Sequence, residues 1–100
     1  MGERADRMAA LLRRHFTPDL LQIEDESARH AGHAGAAPGG QTHFRVLLVS
    51  AAFRGQSRVA RSRLVHAVLA EEFAGGLHAL ALNLRTPQEH AGPSVRGGET

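Results

Sequence analysis

The chain has 100 residues, 42% hydrophobic and 22% charged, which is the length of one ordinary domain and a globular balance that excludes wholesale disorder. There is no apolar run of the ~20 residues needed to cross a bilayer, no charged-then-apolar leader and 0 Cys. These features exclude a transmembrane protein, a disulfide framework, a thiol nucleophile and an all-cysteine metal site, and they set the expectation of a cytoplasmic protein rather than a secreted precursor. All 12 basic residues are arginine, so the pI of about 11.0 reflects missing lysine and tyrosine; the formal charge is only +2, and the unusual count is 7 His.

In chain order, Met8, Leu11, Leu12, His15 and Phe16 recur at helical spacing, which predicts an amphipathic helix over Glu3 to Phe16 that Thr17-Pro18 stops. Leu21 and Ile23 alternate with Gln22 and Glu24, the period of a half-buried strand within Asp19 to Glu26. Ser27 to Gln41 is rich in Ala, Gly, His and Pro without periodicity, and reads as a long loop of the functional kind. Thr42 to Ser50 is the clearest strand, with Phe44, Val46 and Leu48 on one face. After a connection around Gly55, a second helix is expected over Val59 to Ala74, with Leu64, Val65, Val68, Leu69 and Phe73 as its stripe and Gly75-Gly76 as its stop. Leu77 to Arg85 reads as a third strand, and Thr86-Pro87-Gln88-Glu89 as the capped start of a short helix.

The order α-β-β-α-β-α predicts an α+β fold. The second and third strands flank a helix and should run parallel, the first two antiparallel, giving a three-stranded mixed sheet with helices covering one face. A single domain over residues 1–90 and a flexible C-terminal tail over 91–100 are expected.

Three constellations carry candidate chemistry. Ser27, Ser50, Ser57, Ser62 and Ser94 sit in no nucleophile setting, and Glu71-Glu72 reads as a solvated face, so no enzyme is expected. His30 and His33 lie in the loop at i, i+3, His43 opens the second strand, and His78 stands at the mouth of the third. Neutral imidazoles suit a borderline metal, but His-x-x-His alone has none of the cysteine spacing of a zinc site. On spacing alone, solvent-exposed loop histidines and a partly buried, hydrogen-bonded His78 are the simpler reading. Arg54, Arg58, Arg61 and Arg63 surround the entry to the second helix, where arginines attract phosphate or carboxylate groups or simply keep a face solvated.

Glu26-Ser27-x-x-His30, Thr42-His43-Phe44-Arg45-Val46, Phe53-x-Gly55, Arg61-Ser62-Arg63-Leu64-Val65-His66, Leu69-Ala70-Glu71-Glu72, His78-Ala79-Leu80 and Thr86-Pro87 occur in that order over residues 3–90. Taken together they resemble the BolA family, whose fold is similar to a class II KH domain. The family usually shows Arg-His-Arg where this chain has Arg61-Ser62-Arg63, and often a Trp after Thr-Pro, where this chain has His90.

The resemblance implies an adaptor that pairs with a monothiol glutaredoxin and shares a [2Fe-2S] cluster in iron-sulfur cluster trafficking or iron sensing. The family's strand-start ligand maps onto His78 and its loop ligand onto His30, with His33 as the nearby rival. A cysteine-free chain contributes only nitrogen or oxygen donors, so the thiolate and glutathione would come from the glutaredoxin side. Alone, the chain is expected to hold no cofactor and to be a monomer or weak homodimer. The resemblance also implies an alternative role, DNA binding by a transcriptional regulator through Arg54, Arg58, Arg61 and Arg63. No Gly-x-x-Gly clamp and no exposed aromatic pair is evident, so such binding would be phosphate-directed and salt-sensitive.

Overall fold

The computed structural model describes residues 2–27 and 42–92. Helix α1, Glu3–Phe16, buries Ala5, Met8, Leu12 and Phe16, which recur every three or four residues. Glu3 and Asp6 in its first turn and Arg13, Arg14 and His15 in its last complement the helix dipole. Strands β1, Leu20–Asp25, β2, His43–Val49, and β3, Ala79–Arg85, form one sheet in the order β1-β2-β3. β1 runs antiparallel to β2 and β3 parallel to it, as expected for a strand pair joined by a helical crossover.

The register builds the core in rows. Ile23, Val46 and Leu82 lie opposite one another, and so do Leu21, Leu48 and Leu84. Side chains of directly opposed residues share a face, so both apolar rows point to the same side. There they meet Met8 and Leu12 of α1 and Val65 of helix α2, Arg58–Val68. Each fully buried Leu, Met or Val here contributes roughly 1.5–3 kcal/mol. The opposite face carries Gln22, Glu24, Arg45 and Asn83, all exposed.

The helix expected over 59–74 is two helices. α2 ends at Val68, and the cap residue Leu69, with a ψ of 15°, turns the chain into α3, Ala70–Ala74. No proline or glycine lies at the bend. It is fixed from outside, by the fully buried Leu69 and by the ion-paired Glu72 three residues on. Leu64, placed in the apolar stripe by spacing, is 41% exposed, because the buried line runs through Val65 and Leu69 one position round the helix. α3 closes in a Schellman turn: the N–H of Leu77 donates to Glu72 O, that of Gly76 to Phe73 O, and Gly76 sits at φ +123°. A final helix α4, Pro87–Ala91, has the full capping box between Thr86 and Glu89.

Glu72 is not part of a solvated face. It is buried, and two guanidinium groups from α1 close on it. Arg7 Nε donates to Oε2 at 2.8 Å and Arg7 Nη2 to Oε1 at 3.0 Å. Arg4 Nη1 donates to Oε1 and to the Glu72 carbonyl, both at 2.9 Å, and Arg4 Nη2 to Gly75 O at 3.1 Å. The Arg7 hydrogen bonds, helped by the charges of Arg7 and Arg4, hold the Glu72 carboxyl below its ordinary range against the opposing effect of burial. Glu72→Gln keeps the shape and removes the charge between the two arginines. It is expected to lower unfolding stability by about 2 kcal/mol with an unchanged denaturant slope. A urea midpoint equal to that of the parent chain would show that the clamp is not stabilising.

Candidate functional site

At the N-terminal end of β2 the sheet gathers four polar side chains. The N–H of His78 donates to Thr42 O at 2.8 Å, and that of Ala79 to the same oxygen at 3.1 Å. This carries His78, immediately before β3, to the side of His43, the first residue of β2. The two rings lie 5.8 Å apart, edge to face at 62°. His78 is exposed and His43 half-buried, so the expectation of a partly buried His78 does not hold. Thr42 touches both residues, since its Oγ1 lies 2.8 Å from His43 Nδ1 and fixes the orientation of that ring.

Thr42 is itself held by Ser27 at the end of the preceding described segment. Ser27 Oγ accepts from the Thr42 N–H at 2.9 Å and the His43 N–H at 3.2 Å, and stands 3.3 Å from Thr42 Oγ1. Accepting two N–H bonds uses both lone pairs of that oxygen, so its own proton points to Thr42. The Ser27 N–H is tied back to Asp25 Oδ1 at 2.8 Å. Ser27 and Thr42 both therefore stand beside the His43–His78 pair. His30 and His33 lie outside the described residues. Among the described residues, no group of three His, Cys, Asp or Glu side chains converges as a metal site. The arrangement offers two imidazoles at the sheet end, a partial donor set. Spacing did not single out His43 as a donor. The signal that finds it is the strand register, His43 opposite Ala79.

The four arginines at the entry to α2 divide. Arg54, Arg58 and Arg63 are exposed. Arg61 departs from the expectation of a contact residue: it is buried, 7% exposed, and its donors are taken inside the fold. Nε donates to Gln56 O at 2.9 Å and Nη1 to Leu84 O at 3.0 Å. Nη1 and Nη2 grip the Glu89 carboxylate at 2.6 and 3.0 Å. The guanidinium also caps the buried Phe53 ring at 5.8 Å. This fork fastens α4 to α2, a task that a lysine cannot perform with the same geometry.

The Arg61 hydrogen bonds, with the Thr86 N–H second, hold the Glu89 carboxyl at about 2 against an ordinary 4.5. A value lowered on folding means stability that is full above pH 4.5 and fades as the pH falls toward 2. Glu89→Gln is expected to flatten the acid limb of the stability curve across that window. Parent and variant curves that stay parallel between pH 5 and 2 would exclude the pair as a source of acid sensitivity.

Among the described residues, no helix is long and apolar enough to cross a membrane. Residues 12–89 match the family model described as BolA-like protein. BolA-like protein 1 of Homo sapiens is 49% identical over 74 residues, which is 74% of this chain and 51% of that protein. The SufE-like protein 1 of Arabidopsis thaliana is 42% identical over 89% of this chain and 25% of its own length. The chain thus spans about half the length of the BolA-like protein 1 relatives it matches. Among solved structures, the BolA domain of SufE1 from Arabidopsis thaliana superposes with a TM-score of 0.81 at 42% identity, covering 89% of this chain and 98% of that one. BolA1 from the same plant gives 0.79 at 45%, covering 89% and 97%. With the same element order, the same sheet and a family match across most of its length, the chain belongs to the BolA-like family.

Proposed function

We propose that this chain is a non-enzymatic, cytoplasmic adaptor that pairs with a monothiol glutaredoxin and shares a [2Fe-2S] cluster with it, in cluster trafficking or iron sensing. The observation that carries the reading is the His43–His78 pair at the sheet end, tied to Thr42 and Ser27, the described residues that flank the stretch holding His30 and His33 in the sequence. The donor set fits. The chain has no thiolate, so it supplies nitrogen ligands only. His78 is exposed at the rim, where a second protein has access. Ser27 is three residues from His30, a tether of at most about 11 Å. Following the family resemblance, His78 and His30 are the proposed ligands, with His33 as rival for the loop position. The sulfur donors, a cysteine and glutathione, belong to the partner. The cluster, when bound, supplies an electron-transfer centre whose potential imidazole ligation raises relative to thiolate alone. The chain's own contribution is to fix ring orientation, with Thr42 Oγ1 against His43 Nδ1 and the Thr42 carbonyl on the backbone of His78. Without its partner, the chain is proposed to be a monomer or weak homodimer with no cofactor of its own.

A second reading, a DNA-binding regulator, is favoured by one observation: Arg54, Arg58 and Arg63 are exposed around one helix start. Arg61 does not join them, since its guanidinium is committed to Glu89. Contacts of this kind would be phosphate-directed.

Co-purification with a monothiol glutaredoxin in the presence of glutathione is expected to give a coloured heterodimer. In it, His78→Ala, an exposed substitution, should change the visible spectrum and shorten the cluster lifetime. An identical spectrum and lifetime would remove His78 from the ligand set. Separate His30→Ala and His33→Ala variants identify the loop donor by the same readout. For the second reading, fluorescence anisotropy with duplex DNA at low and moderate salt is expected to show binding that weakens steeply with salt. The triple change Arg54→Ala, Arg58→Ala, Arg63→Ala should lower affinity and reduce the salt slope by up to about 3. No change in either would dismiss DNA binding through this face.

A further inference from the structure

β3 is an edge strand that pairs only with β2 among the described residues. The carbonyl of Arg85 faces β2 and accepts from the Ser50 N–H at 2.9 Å. The carbonyl of Leu84 faces the other way, where Arg61 Nη1 reaches it at 3.0 Å. Peptide groups alternate in direction along a strand. The N–H and C=O groups of Leu80 and Leu82 therefore also point outward, repeating about every 6.6 Å. Such a row is a template for a further strand.

The sequence does not blunt this edge in the usual ways. β3 has no proline and no lysine, and its side chains from Ala79 to Leu84 are uncharged. Among the described residues, the outward carbonyl of Leu84 is covered, by Arg61. Beside the edge runs a groove of about 680 Å³, bounded by Leu82, Leu84 and Arg85 of β3 and by Ser57 and Arg58 at the start of α2. Its one carboxylate, Glu89, is already gripped by Arg61. Arg58 and Arg85 therefore set the sign of the groove. Arg58 is exposed and makes no ion pair among the described residues. Arg85 is held at the groove by Asn83 Oδ1, 3.0 Å from its Nε.

We propose that this groove takes an extended acidic segment of a partner protein, which adds to β3 as a fourth strand and meets Arg58 and Arg85 with its carboxylates. A peptide matches the edge because its backbone offers donors and acceptors in the same alternation. A nucleic acid matches it poorly: phosphates only accept, and no aromatic ring lines the groove for a base to stack on. The site lies apart from the histidine pair and does not depend on cluster ligation, so each can fail without the other.

The probe is a capped heptapeptide of alternating valine and glutamate, titrated into the full chain and followed by amide resonances and by anisotropy of a labelled copy. Shifts are expected at Leu80, Leu82 and Leu84 and not at His43 or His78. Arg58→Glu, at an exposed position, should weaken binding by about tenfold or more. Methylating the backbone nitrogen of alternate residues should abolish it, since that removes the strand's donors and leaves its charge. The proposal is overturned by a methylated peptide that binds as tightly as the parent. It is also overturned by resonances at Leu80 to Leu84 that stay still at about 1 mM peptide, or by an oligothymidylate that binds this groove while the peptide does not.

Discussion

The parallel pairing of β2 with β3 in one register sets the arrangement of the rest. With His43 opposite Ala79, Val46 meets Leu82 and Leu48 meets Leu84, and these apolar rows of both strands face the helices. A slip of one residue would turn one strand's apolar row toward solvent; a slip of two would keep the faces but move His78 away from Thr42 and His43. The core and the histidine pair therefore draw on one constraint. The fit of four aliphatic side chains determines where two imidazoles stand at the other end of the strands.

Arginine does the joining between elements that the small core leaves weakly connected. Glu72 ties α3 to α1 through Arg4 and Arg7, and Glu89 ties α4 to α2 through Arg61. In each case a forked guanidinium spans a carboxylate and at least one backbone carbonyl at once. That multiplicity separates them from a surface pair such as Arg45 with Glu24, which sits at 4.0 Å with both partners exposed. A chain with no lysine has no other cation for this work, so the absence that inflates its pI also shapes its interior.

Much of the fold was legible because its elements obey simple periods. Met8, Leu12 and Phe16 gave α1, the alternation around Val46 gave β2, and Thr86-Pro87-x-Glu89 announced α4 together with its cap. The bend at Leu69 was not legible, since no proline or glycine marks it and tertiary contacts impose it. The roles of Arg61 and Glu72 were half legible. Arg61 lies four residues before Val65 and Glu72 three after Leu69, on the very line that is buried, but charge argued for solvent and spacing for the interior. Partners distant in sequence decided the matter. The pairing of His43 with His78 had no local signal at all, because it depends on which residues of two strands come level.

The clamp on Glu72 has a consequence for where this domain begins. The family model matches from residue 12, whereas the guanidinium groups that neutralise Glu72 stand at positions 4 and 7. A chain trimmed to the family boundary would lose the first two turns of α1, and with them Ala5, Met8 and both cations. It would keep a carboxylate that the fold buries only because they are present. The folded unit thus reaches past the span of the family model, and its opening residues belong to the scaffold.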